Sequence, residues 1–430
     1  MMDVLKGRFV IPADDVRNIL ARGGHTTEKQ LHAFLMSLVE PASELARPPI
    51  SKYNVGAVGL GLSGAIYVGV NIEFPNSHLN NSIHAEQCLI ANCFLHGEQG
   101  LQAVAVSEAP CGHCRQFCAE LCSADTMRFV FGAGSHWLHQ HPGAHDTPTP
   151  STPPPGPAPL HSSHPHLLNP TVTPSQPHTL SDLATAQAPA PRRQRAYSLD
   201  ELLPSRFGPM DLALDGQPFP LLLQPQPSRV ELSTEAKDLV LQRCQPARHP
   251  SRETGSQGCT ASTTQGKGDA PAASAPGTGT GPAGTETGPA VALKGAAEAE
   301  QAELAGGVGE QEVDFAAVAA AAVHWANQSY SPYTKSPSAV VIVSVTGKLY
   351  GGAFMESAAY NPSLTPFHCA WVAAVVDHIP GWHEIREVVL AELADAPVQQ
   401  LAGVRALLQA VAPAAKVTPL LLARHENALL

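Results

Sequence analysis

An internal repeat constrains the fold of this chain more than any other feature of its sequence. Residues 50–58 (ISKYNVGAV) resemble residues 330–340 (YSPYTKSPSAV) in outline, and residues 69–73 (GVNIE) resemble residues 352–356 (GAFME). With 430 residues, the chain is long enough for two or three domains that each have their own core. The repeat predicts that two of these domains share one architecture.

The first copy alternates between helix-like and strand-like segments. Apolar residues at three- and four-residue spacing predict helices near residues 16–20 and 31–38. Strand-like runs at residues 55–62 and 66–70 flank a Ser-Gly turn, which is a hairpin pattern. The pattern then predicts a helix, a strand, a helix and a strand over residues 83–95, 103–107, 111–121 and 128–131. This alternation predicts an α/β layer sandwich.

Proline and glycine are concentrated in two tracts between the ordered segments. Residues 141–192 contain no aromatic side chain, and residues 250–310 are dominated by Gly, Ala, Thr and Pro. Neither tract can bury enough apolar surface to offset the entropy of ordering it, so both are predicted to be disordered insertions. The predicted organisation is a first domain over residues 1–135, an ordered connector over 197–245 and a last domain over 311–430.

Four residues with metal-binding or acid–base chemistry lie in two short motifs of the first copy. His84 and Glu86 belong to His-Ala-Glu, and Cys111 and Cys114 belong to Pro-Cys-Gly-His-Cys. A structural zinc site is closed by four protein ligands, whereas a catalytic zinc ion keeps one position open for water. His84, Cys111 and Cys114 supply three ligands, and Glu86 remains free to move protons. The motifs therefore predict a catalytic zinc site.

The pattern His-x-Glu followed by Pro-Cys-x-x-Cys is the known signature of zinc-dependent nucleobase deaminases. With the residues around it (82–87, SIHAEQ, and 110–117, PCGHCRQF), the chain resembles cytidine deaminases of the two-domain, homodimeric kind found in plants and some bacteria. The resemblance implies two copies of an α/β/α sandwich with a mixed sheet between helices, one zinc ion per chain, and a homodimer. It also implies that residues 207–212 (FGPMDL) pack near the partner's active site.

The second copy lacks the residues of both motifs. A gapless alignment from the repeated segment places Phe367 at the position of His84 and Cys369 at that of Glu86. The region that corresponds to Pro-Cys-x-x-Cys reads AELADA over residues 391–396. This copy is therefore predicted to be degenerate and to bind no zinc, and its role is expected to be architectural.

The resemblance implies hydrolytic deamination of cytidine and 2′-deoxycytidine to the uridines, with release of ammonia, in pyrimidine salvage. Free water has a pKa of about 15.7, and zinc lowers the pKa of a bound water to about 7, which supplies the nucleophile. Glu86 is expected to take a proton from this water, deliver it to N3 of the base and help to protonate the leaving ammonia. Cys111 and Cys114 are expected at the start of a helix, where N–H groups stabilise thiolates.

Three further residues are candidates for substrate binding. In the family that the chain resembles, an Asn and a Glu in the pattern Val-Asn-x-Glu-Phe bind the ribose hydroxyls of a free nucleoside. Asn71 and Glu73 occupy these positions in VNIEF. The alternative is that both residues only cap the end of a strand. An aromatic Phe that the family places near the sugar and base is replaced by Tyr53, which keeps the ring and adds a hydroxyl.

Charge and composition limit the partners of the chain. A formal charge of −11 and a pI near 6.0 argue against a protein that holds the phosphate backbone of a nucleic acid. The N-terminal residues form neither a secretory signal nor a transit peptide, and no apolar run is long enough to span a membrane. We therefore expect a reducing, cytosolic compartment for the nine cysteines.

Two other functions and two smaller assignments stay open at this point. A polynucleotide-editing deaminase carries the same motif, but it needs a basic groove and aromatic platforms for bases. A non-enzymatic, zinc-stabilised scaffold would act through the biased tracts, but it leaves Glu86 without a role. Cys118 and Cys122 could join the motif cysteines in a closed structural site made of four cysteines. Arg115 is either a source of positive potential or a structural ion-pair residue.

Overall fold

The computed structural model describes residues 4–131, 195–212, 221–226, 230–244 and 313–425. The two tracts predicted to be disordered lie outside these ranges. The described residues form two mixed β-sheets, each with helices packed on it, which confirms the predicted α/β class and its duplication. We call the described residues up to 226 the first half and those from 230 onwards the second half.

The first half contains a six-stranded sheet and five helices among its described residues. Its strands are β1 (Val10–Ile11), β2 (Gly56–Gly61), β3 (Ile66–Val70), β4 (Leu101–Val106), β5 (Arg128–Phe131) and β6 (Ala196–Ser198). Its helices are α1 (Ala13–Gly23), α2 (Glu28–Ser43), α3 (Ala85–Leu95), α4 (Gly112–Cys118) and α5 (Leu199–Leu202). The strand order is β1-β3-β2-β4-β5-β6, in which β4 and β5 are parallel and the other neighbours are antiparallel.

The second half contains a five-stranded sheet and four helices among its described residues. Its strands are β7 (Val230–Leu232), β8 (Ser338–Ser344), β9 (Leu349–Ala353), β10 (Ile385–Leu393) and β11 (Lys416–Arg424). Its helices are α6 (Thr234–Cys244), α7 (Phe315–Asn327), α8 (Pro366–Val376) and α9 (Leu401–Val411). The strand order is β7-β11-β10-β8-β9, in which only β10 and β11 are parallel. Short 3-10 helices in the two halves cover Leu79–Asn81, Pro209–Asp211 and Trp382–Glu384.

Helices cover both faces of the first sheet. Gly56 faces α2, since a Cβ atom there would lie 2.6 Å from the carbonyl oxygen of Val39. Gly69 pairs with Ala57, the next residue of β2, and therefore faces the opposite side. A Cβ atom at Gly69 would lie 2.2 Å from the carbonyl oxygen of Ala85, so glycine allows α3 to rest directly on the sheet. This close approach fixes the start of α3 against β3.

The two halves share one order of elements but differ by two residues in one loop. In the first half, Ile72 forms an antiparallel bridge with Ile83, eleven positions later. In the second half, Met355 bridges Leu364, which is only nine positions later. The loop between the bridge partners is therefore two residues shorter in the second half.

This shorter loop corrects the gapless alignment. His84 immediately precedes α3, and Thr365 immediately precedes α8, so Thr365 is the structural counterpart of His84. Phe367 is then the structural counterpart of Glu86, whereas the gapless alignment placed Phe367 at His84 and Cys369 at Glu86. The inference that the second copy lacks both a histidine ligand and the acid at these positions is unchanged.

The segment predicted to be an ordered connector, residues 197–245, contributes to both sheets. Its first part continues β6, which pairs with β5 in the first sheet. Its last part contains β7, which pairs with β11 in the second sheet, and α6, which packs on α7. The limits of the domains remain a prediction, but the described connector is built into the two sheets.

The two halves pack through the helices that follow β3 and β9. Helix α3 packs against α8, and one hydrophobic core includes buried side chains from both halves. Gly352 in β9 repeats the role of Gly69, because a Cβ atom there would lie 2.0 Å from the backbone nitrogen of Ala370 in α8. Within the described ranges, no helix combines the length and the apolar character that crossing a membrane requires.

Candidate active site

Both motifs lie where a helix begins. His84 precedes α3 with extended backbone angles (φ −77°, ψ 157°), and Cys111 precedes α4 in the same way (φ −68°, ψ 167°). Cys114 lies in the first turn of α4. The bridge between Ile83 and Ile72 ends the preceding loop and determines where α3 begins. Because α3 and α4 contact each other, the two motifs meet at their N-terminal ends.

The fold brings the three predicted zinc ligands together. One ligand atom from each of His84, Cys111 and Cys114 lies within 4.8 Å of the others, and Cys111 Sγ is 3.5 Å from His84 Nδ1. Cys114 is buried, His84 is half-buried and Cys111 is exposed. A nitrogen and two sulfur atoms form a donor set that suits tetrahedral zinc with one position left for solvent. In the described part of the chain, no other such trio of ligand side chains is gathered.

Hydrogen bonds hold Cys111 in its thiolate form. The thiol of Cys114 donates to the Cys111 sulfur and is the main reason that the pKa of Cys111 falls to about 3, with further donation from His84. Burial raises the pKa of Cys114 well above its ordinary value, and the hydrogen bond to Cys111 raises the pKa of His84. The thiolate is the form of cysteine that binds metal, and these donated protons are the ones that metal binding displaces.

Glu86 lies beside the ligand set in the first turn of α3. It is 6% exposed, and its carboxyl group interacts electrostatically with Cys111 and His84. Burial disfavours a charged carboxylate and raises the pKa of Glu86 above its ordinary value. A buried carboxyl group of this kind can hold a proton and return it within reach of the ligands.

Asn71 and Glu73 both bind the backbone of the loop that precedes β2. Glu73 Oε2 accepts hydrogen bonds from the N–H groups of Ile50 at 2.7 Å and Ser51 at 2.9 Å. Asn71 Oδ1 accepts one from the N–H group of Val55 at 2.9 Å. The two side chains therefore hold the backbone of this loop between residues 50 and 55, and the assignment of substrate binding to them remains a prediction.

Tyr53 lies in the same loop and contacts the segment between β4 and the cysteine motif. Asn71 Nδ2 donates to the carbonyl oxygen of Tyr53 at 2.8 Å, which fixes the backbone at this position. The ring is 55% exposed, and its hydroxyl donates to Glu108 at 3.1 Å. That hydrogen bond raises the pKa of Tyr53. Glu108 follows the end of β4 and lies three residues before Cys111 in the sequence.

Two side chains around the ligands were missed at the sequence level. Gln87 Oε1 accepts a hydrogen bond from the N–H group of His84 at 3.1 Å and completes a capping arrangement at the start of α3. Gln87 Nε2 lies 3.1 Å from Nε2 of His113, whose ring stacks on His84 with centroids 5.0 Å apart and an interplanar angle of 19°. A Gln three residues after a helix-capping position is a capping-box spacing, and this spacing could have identified Gln87.

The smaller assignments have different outcomes. Arg115 donates a hydrogen bond to the carbonyl oxygen of Leu202 at 2.8 Å and also interacts electrostatically with the motif cysteines. Cys118 is buried, and the thiol of Cys122 donates to the carbonyl oxygen of Gln99 at 2.9 Å. Neither cysteine joins the ligand group, so the alternative of a four-cysteine structural site is wrong.

Family models match both halves of the chain. A model described as the cytidine and deoxycytidylate deaminase zinc-binding region matches residues 29–133, which contain both motifs. A second model with the same description matches residues 291–405. The duplication seen in the two sheets is therefore a duplication of one family of domains.

Known proteins from plants resemble the chain over most of its length. Cytidine deaminase 1 of Arabidopsis thaliana is 32% identical over 385 residues, which cover 88% of this chain and 87% of that protein. Cytidine deaminase 6 of the same plant is 28% identical over 395 residues, which cover 88% of each. A solved structure of cytidine deaminase from Burkholderia pseudomallei is 28% identical, covers 24% of this chain and 87% of that chain, and gives a TM-score of 0.22.

Proposed function

Because the chain belongs to the cytidine deaminase family, we propose that it hydrolyses cytidine and 2′-deoxycytidine to uridine and 2′-deoxyuridine with release of ammonia. The observation that carries this proposal is the gathering of His84, Cys111 and Cys114 within 4.8 Å beside the buried Glu86. This combination of three metal-binding side chains and one free acid suits a hydrolytic site rather than a closed structural one.

His84, Cys111 and Cys114 are the residues to which we assign the zinc ion. The hydrogen-bonded Cys111 thiolate and the neighbouring thiol and imidazole provide the donor set that zinc prefers. When bound, zinc supplies a Lewis acid that makes water a nucleophile near neutral pH. The half-buried His84 and the exposed Cys111 leave the set accessible to a small substrate from one side.

Glu86 moves the protons in this proposal. Its carboxylate takes a proton from the attacking water while the water oxygen bonds to C4 of the base, and it delivers that proton to N3. It then transfers the proton of the new C4 hydroxyl to the amino group, so that the bond between C4 and nitrogen breaks, C4 becomes a carbonyl carbon and ammonia leaves. Burial raises the pKa of Glu86, which favours a carboxyl group that accepts and returns a proton.

We assign substrate binding to Asn71, Glu73 and Tyr53. The exposed ring of Tyr53 offers a face on which the pyrimidine can stack. Asn71 and Glu73 hold the backbone of the loop that carries this ring, and the ribose hydroxyls are expected beside them. An acidic side chain near the sugar disfavours a phosphorylated substrate, which supports a free nucleoside.

We also assign a homodimer and a cytosolic role in pyrimidine salvage. The segment at residues 207–212 exposes 45% of Phe207 and 73% of Met210, and Gln116 of α4 donates a hydrogen bond to the carbonyl oxygen of Phe207. An apolar surface attached to the ligand-bearing helix suits contact with a second copy. The eight cysteines in the described ranges are all unpaired, which suits a reducing compartment.

One assay tests the function against its alternatives. Zinc-loaded protein is mixed with cytidine, CMP or a single-stranded oligonucleotide, and ammonia and the ultraviolet absorbance are followed. We expect turnover of cytidine. Turnover of the oligonucleotide alone would favour an editing deaminase, and no turnover by protein that binds zinc would favour a scaffold. Light scattering of the same sample gives the mass that tests the homodimer.

A further inference from the structure

A loop of the second half, residues 357–363, contacts both helices that carry the proposed zinc ligands. At the start of α3, Gln87 Nε2 donates a buried hydrogen bond to the carbonyl oxygen of Pro362 at 2.9 Å. Just after α4, the carboxylate of Glu120 accepts hydrogen bonds from the N–H group of Ala358 at 2.7 Å and from the hydroxyl of Ser357 at 3.2 Å. The loop therefore connects the N-terminal end of α3 to the C-terminal end of α4 from outside the first half.

The attachment at Glu120 is strong because the carboxylate is buried and fully engaged. The residue is 0% exposed, and the hydroxyls of Tyr330 and Tyr333 donate to it at 2.9 Å and 2.6 Å. A buried carboxylate that loses its donors is costly, since its desolvation is then no longer compensated. The position of α4 is therefore coupled to the position of the loop.

The attachment at Gln87 reaches a zinc ligand directly. The same side-chain amide that donates to Pro362 accepts the hydrogen bond from the N–H group of His84 and lies 3.1 Å from His113. His113 stacks on the ring of His84. A displacement of the Pro362 carbonyl would therefore move the amide of Gln87 and change the support of His84 on two sides.

The internal repeat places a different side chain at the equivalent position of the second half. Gln87 is the third residue of α3, and His368 is the third residue of α8. The imidazole of His368 packs edge-on against the ring of Phe74, with centroids 5.3 Å apart, in the loop of the first half that corresponds to residues 357–363. Its Nε2 makes no hydrogen bond with the described residues. The two contacts have the same place in the repeated fold. Only the contact at Gln87 adjoins the proposed ligands.

We infer that residues 357–363 of the degenerate half act as a brace that fixes the separation of α3 and α4, with Gln87 as a positioning residue for His84. The inference rests on the proposed zinc site. Helix α3 presents His84 and α4 presents the two cysteines, so the separation of these helices sets the geometry of the ligand set. Replacing a group that orients a metal ligand typically weakens metal binding about 10- to 100-fold.

A matched pair of variants tests the arm at Gln87. Gln87→Met and His368→Met each replace a polar side chain that contacts the other half by an apolar side chain of similar length. The zinc dissociation constant of the full chain is measured by competition with a chromophoric chelator. We expect Gln87→Met to weaken zinc binding about 10- to 100-fold and His368→Met to leave it unchanged. Thermal unfolding of the metal-free proteins reports the structural cost of each change separately.

A second pair tests the arm at Glu120. Glu120→Gln places an amide against the donors of the loop, whereas Tyr333→Phe removes one donor to the same carboxylate and leaves the two loop contacts in place. We expect only Glu120→Gln to weaken zinc binding. The brace is refuted if Gln87→Met matches His368→Met in zinc affinity, or if Tyr333→Phe weakens binding as much as Glu120→Gln. A wild-type chain that binds zinc but releases no ammonia from cytidine would refute the proposed function instead, since the affinities of the variants are read without turnover.

Discussion

The two halves begin equivalent helices with different residues, and this difference separates a metal site from a purely structural fold. Helices α3 and α8 follow His84 and Thr365, and helices α4 and α9 follow Cys111 and Gln400. Thr365 accepts a hydrogen bond from the N–H group of His368 at 3.3 Å, which is an ordinary helix cap. The second half therefore uses a capping hydroxyl where the first half presents an imidazole.

The second pair of helix starts shows the same exchange. Near α4, the backbone N–H group of Cys114 helps to lower the pKa of Cys111 and so favours its thiolate. Near α9, Glu392 Oε2 accepts one from the N–H group of Gln400 at 2.6 Å. The N–H groups at a helix start can donate to a thiolate or to a carboxylate. Of these two anions, the thiolate is the preferred zinc ligand. The fold can therefore lack the zinc ligands while the N–H groups at its helix starts still have hydrogen-bond acceptors.

The largest expected effect comes from Cys111→Ser, with Gln400→Ser as its counterpart in the second half. Cys111→Ser removes one of three proposed ligands, so we expect loss of bound zinc and of cytidine turnover together. Gln400→Ser should keep about one zinc per chain, because it lies outside the proposed site. Elemental analysis and ammonia release measure both variants. If Cys111→Ser retained zinc at the wild-type level, the assignment of the ligand set would be wrong.

Glu86→Gln should have the next largest effect, with Phe367→Leu as its matched control. The amide keeps the size of the side chain but cannot accept the proton of water, so we expect turnover to fall about 10²- to 10⁴-fold. Zinc content should stay at the wild-type level. Phe367→Leu changes the equivalent position of the second half and should reduce stability without a comparable loss of turnover. Steady-state kinetics and zinc content decide the outcome, and a Glu86→Gln variant near the wild-type rate would exclude the proton-transfer role.

Tyr53→Ser replaces the proposed stacking ring by the residue type at the equivalent position of the second half, Ser336. Stacking of a base on an aromatic side chain contributes about 1–3 kcal/mol, so we expect KM for cytidine to rise by a corresponding factor. Tyr53→Phe keeps the ring, loses only the hydrogen bond to Glu108 and should remain near wild type. An unchanged KM in Tyr53→Ser would place the base elsewhere.

The smallest effect concerns the acid stability of two equivalent carboxyl groups, Glu73 and Glu356. Burial alone would raise the pKa of Glu73, but hydrogen bonds from Ser51 and Ile50 lower it below its ordinary value of 4.5. For Glu356 burial prevails and the pKa is raised, although the N–H groups of Tyr333 and Thr334 donate to it.

These opposite shifts predict opposite pH dependences. Glu73 stabilises the fold above the pKa that it has in the unfolded chain, and this contribution disappears as pH falls through the lower folded value. Glu356 favours the fold at low pH, and its contribution is lost as pH rises through the raised value. The unfolding free energy of Glu73→Gln should therefore rise less with pH than that of wild type, and that of Glu356→Gln should rise more. Denaturant unfolding across about pH 3–7 measures how the unfolding free energy of each variant changes with pH. Slopes that differ from the wild-type slope in the same direction would contradict the comparison.

Much of the fold could be predicted because its strongest patterns are local. Apolar runs on either side of a Ser-Gly turn mark the hairpin of β2 and β3. The observed limits of this hairpin and of the helix after His84 lie within a few residues of the predicted ones. The motif spacing also indicated which side chains would meet, since His84 and Cys111 each mark the start of a helix. These features depend on short segments, and the residues that determine each of them are close together in the sequence.

The remaining features depend on contacts between distant segments. Strands β6 and β7 have only three residues each, which is too short for a periodic pattern, and their neighbours in the sheets decide their conformation. The two-residue difference between the loops changes no local pattern and shifts only the alignment. The hydrogen bond from Gln87 to Pro362 joins residues that are 275 positions apart. Its acceptor is a backbone carbonyl, which every residue has, so no residue type in the sequence indicates it.

The carboxylate of Glu120 has a consequence for any attempt to shorten the gene. Its four donors, Tyr330, Tyr333, Ser357 and Ala358, all come from the second half. A polypeptide that ended before them would carry an acidic group in an apolar interface with nothing to neutralise it, and the newly exposed face of α3 would favour aggregation. We therefore expect a minimal catalyst made from this sequence to need substitutions at this interface as well as a deletion.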